Sequence, residues 1–376
     1  MHSKESLLIY ADSEHCADML YAVGMFVPDP FVFLRLNGEN IVILNDLEID
    51  RAKKNITNCT ILSSSEYSQK LGKKLNRRGP EEIIKMVLRE RKIKKLSVPY
   101  QFPFGLAKQL KAAGFKLKPT QGPVFPEREI KNADEVKKIS AALMMAEVGL
   151  AEGIQALKRS RIARNGKLML NQLPLTSEKL RSIIDTAILQ AGGLPANTIV
   201  AGGTQSCDPH ERGHGPLKAH QPIILDVFPR SQKTGYFGDI TRTVVRGKAS
   251  ERLQKMYHTV QEGQAIAFRE MGNGVSGKVP HAKVLEWFEK QGFPTGQKKG
   301  RMQGFFHGTG HGLGLEIHEA PRVSPASPNT LLTGHVVTVE PGLYYPDIGG
   351  VRLEDVAYVS ENGTRNLTKF EKVLLV

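Results

Sequence analysis

Cysteine and tryptophan are nearly absent from this 376-residue chain, which has three of the first and one of the second. Cys16, Cys59 and Cys207 fit neither zinc-ribbon spacing nor a disulfide framework, so they read as reduced thiols in a reducing compartment. No apolar run approaches the roughly 20 residues of a membrane span. The opening MHSKESLLIYADSEHC turns acidic too soon for a signal peptide. A cytoplasmic protein with no membrane partner is the expectation. Acidic residues are also short of basic ones, 38 against 52, which leaves a formal charge of +14. The basic clusters at 73–78, 89–95, 158–164 and 298–301 lie far apart, lack interleaved aromatics and accompany no nucleic-acid motif. They read as solvated faces, and a nucleic-acid partner is not expected.

What is present suits two domains. Hydrophobic residues make up 40% and charged residues 24%, ordinary for a globular chain long enough to bury a large core. Strands are predicted at 6–11, 31–36 and 40–46, the last two flanking Asn37-Gly38, a hairpin signal. A helix at about 80–92, a strand at KKLSVP, a helix in FGLAKQLKAAG closed by Gly114, and a strand at FKLKP complete a mixed α/β domain over 1–125. The proline-rich stretch 118–127 reads as a linker. Beyond it, Val136, Ile139, Leu143, Ala146, Leu150, Ile154 and Leu157 recur at steps of three and four and predict a long amphipathic helix. Further helices at about 177–191, in ASERLQKMYHTVQEGQAIAFREM and in PHAKVLEWFEKQG alternate with hairpin-linked strands, and three strands are expected after the last histidine segment. The second domain, 126–376, is therefore α+β rather than doubly wound.

The segment from Gln303 to Asp355 carries the chemistry. His307, His311 and His318 lie among glycines, and Glu340 and Glu354 follow on apolar, strand-like runs. Upstream, Asp226 in PIILDVF and Asp239 in GYFGDITRTVV have similar settings, joined by a turn-forming stretch. Antiparallel strands would bring each pair of carboxylates onto one face. Buried carboxylates repel one another unless a cation compensates them. Two divalent ions would balance four carboxylates, with His311 as a neutral nitrogen ligand. Such ions lower the pKa of water and polarise a carbonyl. His307 and His318 remain to hydrogen-bond a substrate or move protons.

The motifs HGTGHGLGLEIHEAP, TVEPGLY, GGVRLEDV and GDITRT resemble those of the pita-bread metallopeptidases: methionine aminopeptidase, prolidase and aminopeptidase P. The resemblance covers about 130–376. It implies a pita-bread (creatinase/aminopeptidase) catalytic domain with Asp226, Asp239, His311, Glu340 and Glu354 as the ligands of two divalent ions. Asp239 and Glu354 would bridge the ions, and Glu340 would serve as the base. By the same resemblance His318 stabilises the tetrahedral intermediate, and His307 and Arg352 match positions of the proline-specific branch. His210 and His214 compete for the substrate-lining histidine; the proline before His210 and its distance to Asp226 favour His210. The interval from Asp226 to Asp239 is two residues longer than the family pattern, which would reshape the cleft mouth. The N-terminal α/β domain resembles the extra domain of the creatinase, prolidase and aminopeptidase P branch, which favours proline-directed cleavage and a homodimer. The resulting expectation is a metallo-exopeptidase acting on peptides with proline in second position, as aminopeptidase or dipeptidase. Manganese is the expected metal, with cobalt, iron and zinc as alternatives. A retired binding protein on this scaffold, or a hydrolase of another small amide, are the competing readings.

Overall fold

The computed structural model describes residues 6–72 and 79–376, so the basic cluster at 73–78 lies outside the described residues. Contacts divide the chain into two units, Met1–Arg128 and Glu129–Val376.

The first unit is built on β1 (Leu7–Ala11), α1 (Ala17–Val23), β2 (Phe31–Leu36), β3 (Glu39–Leu44), α2 (Asp46–Asn55), β4 (Thr60–Ser63), α3 (Ser64–Lys70), α4 (Pro80–Glu90), β5 (Lys95–Val98), α5 (Phe104–Ala112) and β6 (Lys116–Pro119). The sheet order is β4-β3-β2-β1-β5-β6. The β2–β3 turn forms at Asn37 and Gly38, both at positive φ (52° and 87°), which the tight hairpin requires. Strand residues alternate between two cores. Leu8, Val32, Leu34 and Ile43 pack toward α4 and α5, while Ile9, Phe33, Val42 and Leu44 pack toward α1 and α2. Two expectations need correction here. Helices α1, α2 and α3 and strand β4 were not predicted; α2 buries only Ala52, so its sequence carries little apolar period. The stretch 118–127 is not a free linker, because Phe125 is fully buried with its ring centroid 5.4 Å from Tyr21 and 6.2 Å from Phe33.

The second unit opens with α6 (Ala133–Arg159), started by a capping box between Asn132 and Glu135. A meander of β7 (Arg161–Ile162), β8 (Leu168–Leu170) and β9 (Leu173–Pro174) leads to α7 (Ser177–Gln190), which packs on α6. Then follow β10 (Gly193–Leu194), β11 (Ile199–Gly202), β12 (Ile223–Val227), β13 (Arg230–Ser231) and β14 (Ile240–Val244). Strands β11, β12 and β14 form one antiparallel sheet. Helices α8 (Glu251–Glu270) and α9 (Lys278–Lys290) pack on each other and on the core of Leu253, Val260, Val337, Val351 and Ala357. After the hairpin β15 (Gly296–Lys298) and β16 (Arg301–Gln303) come β17 (Gly310–Gly312), β18 (Glu319–Val323), β19 (Val336–Val339), β20 (Gly342–Tyr345), β21 (Gly349–Arg352), β22 (Asp355–Ser360) and β23 (Gly363–Asn366). Six strands, not three, thus follow the histidine segment, because β18 pairs back on β17 and a second hairpin, β20–β21, is inserted between β19 and β22. The unit is α+β with antiparallel strand pairs, as the hairpin-linked pattern implied.

Candidate metal centre and active-site cleft

The four acidic residues lie at or next to the ends of paired strands. Asp226 is on β12 opposite Thr241, and Asp239 precedes β14, one residue earlier than a full strand position. Glu340 falls between β19 and β20, and Glu354 between β21 and β22, where the long hairpin changes from one sheet to another. The amide of Glu354 donates to the Thr241 carbonyl at 3.0 Å, which ties the two strand pairs together.

His311 occupies the centre of β17. A Cβ on Gly310 would stand 1.9 Å from the Thr338 carbonyl oxygen, and one on Gly312 2.2 Å from that of Ala320. The glycines therefore let backbone approach backbone on either side of the histidine. Nδ1 of His311 lies 3.1 Å from the Gly312 carbonyl oxygen, which only accepts, so Nδ1 carries the proton and Nε2 keeps its lone pair. That Nε2 is 3.3 Å from Glu340 Oε1 and 3.7 Å from Asp239 Oδ2. Ligand atoms of Asp239, His311 and Glu354, all buried, lie within 4.8 Å of one another. Asp226 stands on the same cleft wall with Oδ2 accepting from Arg352 Nη2 at 2.6 Å.

The electrostatics of this cluster are those of an unbalanced set of acids. Burial raises the Asp239 carboxyl well above its usual range, and the charges of Glu354, Asp226 and Glu340 add to the rise. Glu354 is raised in the same way, by burial first and then by Glu340 and Asp226. Glu340 is pushed up to about 7 by burial, with the Arg352 guanidinium pulling the other way. His311 is pushed down to about 3, chiefly by burial and then by His318. Oxygen donors that resist ionisation together, beside an imidazole held neutral, fit divalent cations, whose charge removes the repulsion.

A cleft of about 920 Å³ opens over these groups, and His210, His307, His318, Arg322 and Arg352 line it together with the acids. The His318 ring meets that of His311 edge-on at 4.3 Å, and burial and then Arg322 lower its pKa. His214 is elsewhere, lining a separate surface hollow, with its amide donating to Gln205 Oε1 at 2.9 Å. His307 is pushed down to about 3, by burial and then by Arg352. Arg352 reaches more than Asp226: Nη1 donates to the Tyr344 hydroxyl at 2.9 Å and Nη2 to the Pro209 carbonyl at 3.3 Å. The Tyr344 hydroxyl therefore has its proton free to donate to His307 Nε2 at 2.9 Å, while His307 Nδ1 faces the Gly308 carbonyl at 2.7 Å. One directed chain thus runs from Asp226 through Arg352 and Tyr344 to His307.

Tyr344 was not among the residues singled out from the sequence, since nothing in YYPDIGG signals its hydroxyl's partners. Arg322 was also missed, although its register opposite His311 on β18 brings it to the cleft. The structure brings Asp239, Glu354 and His311 together, with Glu340 beside them.

Residues 137–361 match metallopeptidase family M24. An Xaa-Pro dipeptidase of Pyrococcus horikoshii is 30% identical over 286 residues, 75% of each chain. The structure of an Xaa-Pro dipeptidase from Bacillus anthracis superposes with a TM-score of 0.82 at 25% identity, covering 99% of this chain and 95% of that one. An X-Pro aminopeptidase from Thermotoga maritima shares the fold with a TM-score of 0.81 at 21% identity, over 98% of this chain and 97% of its own. The expected fold, a pita-bread catalytic domain preceded by a smaller mixed α/β domain, is borne out.

Proposed function

The chain belongs to metallopeptidase family M24, a peptidase family that works with divalent metal ions, and from that premise we propose that it removes the N-terminal residue of peptides whose second residue is proline. The observation that carries this reading is the convergence of Asp239, His311, Glu340 and Glu354 in one cleft, on a chain similar to an Xaa-Pro dipeptidase. Asp226, Asp239, His311, Glu340 and Glu354 would hold two ions, manganese first among the candidates. Bound there, the ions supply a lowered pKa for water and polarise the scissile carbonyl.

The chain's own residues do the rest. Glu340 takes the proton of the attacking water and returns it to the leaving proline nitrogen. His318 and His210 donate to carbonyl oxygens of the peptide, and His307, neutral at working pH with both ring nitrogens held by Tyr344 and the Gly308 carbonyl, presents its ring to the cleft. Arg352 donates to Asp226 through Nη2 and lines the cleft. Arg322, exposed at the rim and lining the cleft, is a cation able to meet the C-terminal carboxylate of a dipeptide, which favours the dipeptidase form over the aminopeptidase.

We read 1–125 as the creatinase/prolidase-like domain and 126–376 as the catalytic domain, acting as a homodimer in the cytoplasm. The three free cysteines suit that compartment. No helix of the described residues is long and apolar enough to cross a membrane. A retired binding protein is not favoured, since all five metal-ligand candidates are present in the cleft.

The test is alanine release from Ala-Pro, Ala-Pro-Ala and Ala-Ala-Ala with Mn2+ and with a chelator. Chelator-sensitive release from Ala-Pro alone is expected, and faster release from Ala-Pro-Ala would assign an aminopeptidase. Equal cleavage of Ala-Ala-Ala would sink the proline assignment.

A further inference from the structure

We propose that Arg242 is a positioning residue for the metal centre, and that it makes the segment 370–376 part of that centre's support. The inference rests on reading Glu354 as a metal ligand. Arg242 lies in the middle of β14 and is 1% exposed. A guanidinium has five N–H groups, and here each has an acceptor. Nε donates to the Glu371 carbonyl at 2.9 Å. Nη1 donates to the carbonyls of Glu354 at 2.7 Å and Thr241 at 2.9 Å. Nη2 donates to Asp355 Oδ1 at 2.8 Å and the Phe370 carbonyl at 2.6 Å.

The placement matters because of where Glu354 stands. The β20–β21 ladder ends at Gly342 opposite Arg352, and the β19–β22 ladder begins at Val339 opposite Asp355. Glu354 falls in the gap between them, so a side chain rather than a ladder holds its carbonyl. The neighbouring Thr241 hydroxyl donates to Glu354 Oε2 at 2.7 Å and aims the carboxylate. Arg242 thus fixes the backbone on which an aimed ligand is mounted. The closing segment is the other half of the clamp. Lys372 Nζ and Asn366 Nδ2 donate to Asp355 Oδ2 at 2.5 and 2.8 Å, and the Val245 amide donates to the Leu374 carbonyl at 2.7 Å. Groups that orient a ligand in this way typically change metal affinity by about 10–100-fold when altered.

The experiment compares wild type with Arg242→Lys, which keeps a charge beside Asp355 but not the five-way fork. Mn2+ affinity is measured against a competing chelator, with kcat and KM for Ala-Pro. The expected result is Mn2+ binding weaker by about tenfold or more, with kcat reduced and KM held. A folded variant with wild-type Mn2+ affinity, merely less stable, overturns the proposal. A second readout needs no variant. If the segment supports the metal centre, metal must in turn protect the segment, so Mn2+ should slow hydrogen exchange at the Val376 amide, which donates to the Val245 carbonyl at 3.0 Å. Unchanged exchange there overturns the proposal in the intact chain. Wild type that binds no Mn2+ would instead remove the metal-ligand reading of Glu354.

Discussion

Removing the metal should open a stability gap that widens with pH. In the metal-free chain Glu340 is lifted from 4.5 to about 7, chiefly by burial, and Asp239 and Glu354 are raised as well. A carboxyl whose folded pKa exceeds its unfolded value stabilises the fold fully below the unfolded pKa, and that contribution is lost as pH rises through the folded one. For Glu340 the loss is ~3 kcal/mol, spread between pH 4.5 and about 7. Each of Asp239 and Glu354 adds about 1.4 kcal/mol per pH unit over the range in which it stays protonated in the fold. Buried histidines act oppositely: His307 and His311, pushed down to about 3, contribute stability above their ordinary 6.5 that is lost as pH falls toward 3. They do so with or without metal, so they cancel in the difference between loaded and chelated protein. That difference should grow by at least ~3 kcal/mol from pH 5 to pH 8. Trp287, the single tryptophan of the chain, lies on α9 in the catalytic unit, so its fluorescence during urea unfolding follows that unit alone. A gap that stays constant or shrinks over this range would refute the picture of carboxylates crowded beyond their capacity to ionise.

Two substitutions probe the supports of the site. Tyr344→Phe removes the hydroxyl between Arg352 and His307; unfolding should be easier by about 1–3 kcal/mol, and kcat/KM for Ala-Pro should fall. If neither moved, the directed chain from Asp226 to His307 would have no role. Gln264→Leu strips the donor from the carbonyls of Val339 and Leu353, which Nε2 reaches at 2.8 and 3.1 Å. The Leu353 carbonyl then loses its side-chain donor and the Val339 carbonyl keeps only its ladder partner Asp355, which should lower stability by about 1–3 kcal/mol in the same urea titration, and an unchanged midpoint would contradict it.

Much of the fold was legible because its signals are local. The step of three and four in α6, the turn residues between Asp226 and Asp239, and the Asn37-Gly38 hairpin each encode their element within a few residues. The failures have physical causes too. α2 is mostly solvent-facing, so its sequence has no apolar stripe to read; its start is set by one hydrogen bond, from the Leu47 amide to Asn45 Oδ1 at 3.1 Å. Phe125 sits among prolines that read as a linker, and only the groove between Tyr21 and Phe33, distant in sequence, makes it a core residue. The inserted β20–β21 hairpin was missed because its glycines and prolines read as one turn.

The site divides along the same line. Acids and histidines set in apolar strands are costly to bury without a purpose, so Asp239, His311 and Glu354 announced themselves. The residues that hold them do not, since a threonine, a glutamine or an arginine on a strand or helix is commonplace. Gln264 and Arg242 are linked only by geometry: Gln264 on α8 bonds the carbonyls just before Glu340 and Glu354, while Arg242 on β14 bonds the carbonyl of Glu354 itself. Between them they grip, from two elements, the place where the long hairpin leaves one sheet for another. A strand that changes sheets gives up ladder hydrogen bonds, and the carbonyls so released must find donors. Here those donors are side chains, and the break in the ladder frees Glu340 and Glu354 to turn toward His311. The irregularity that hid the hairpin from the sequence is therefore the feature that lets two strands deliver carboxylates to one cleft.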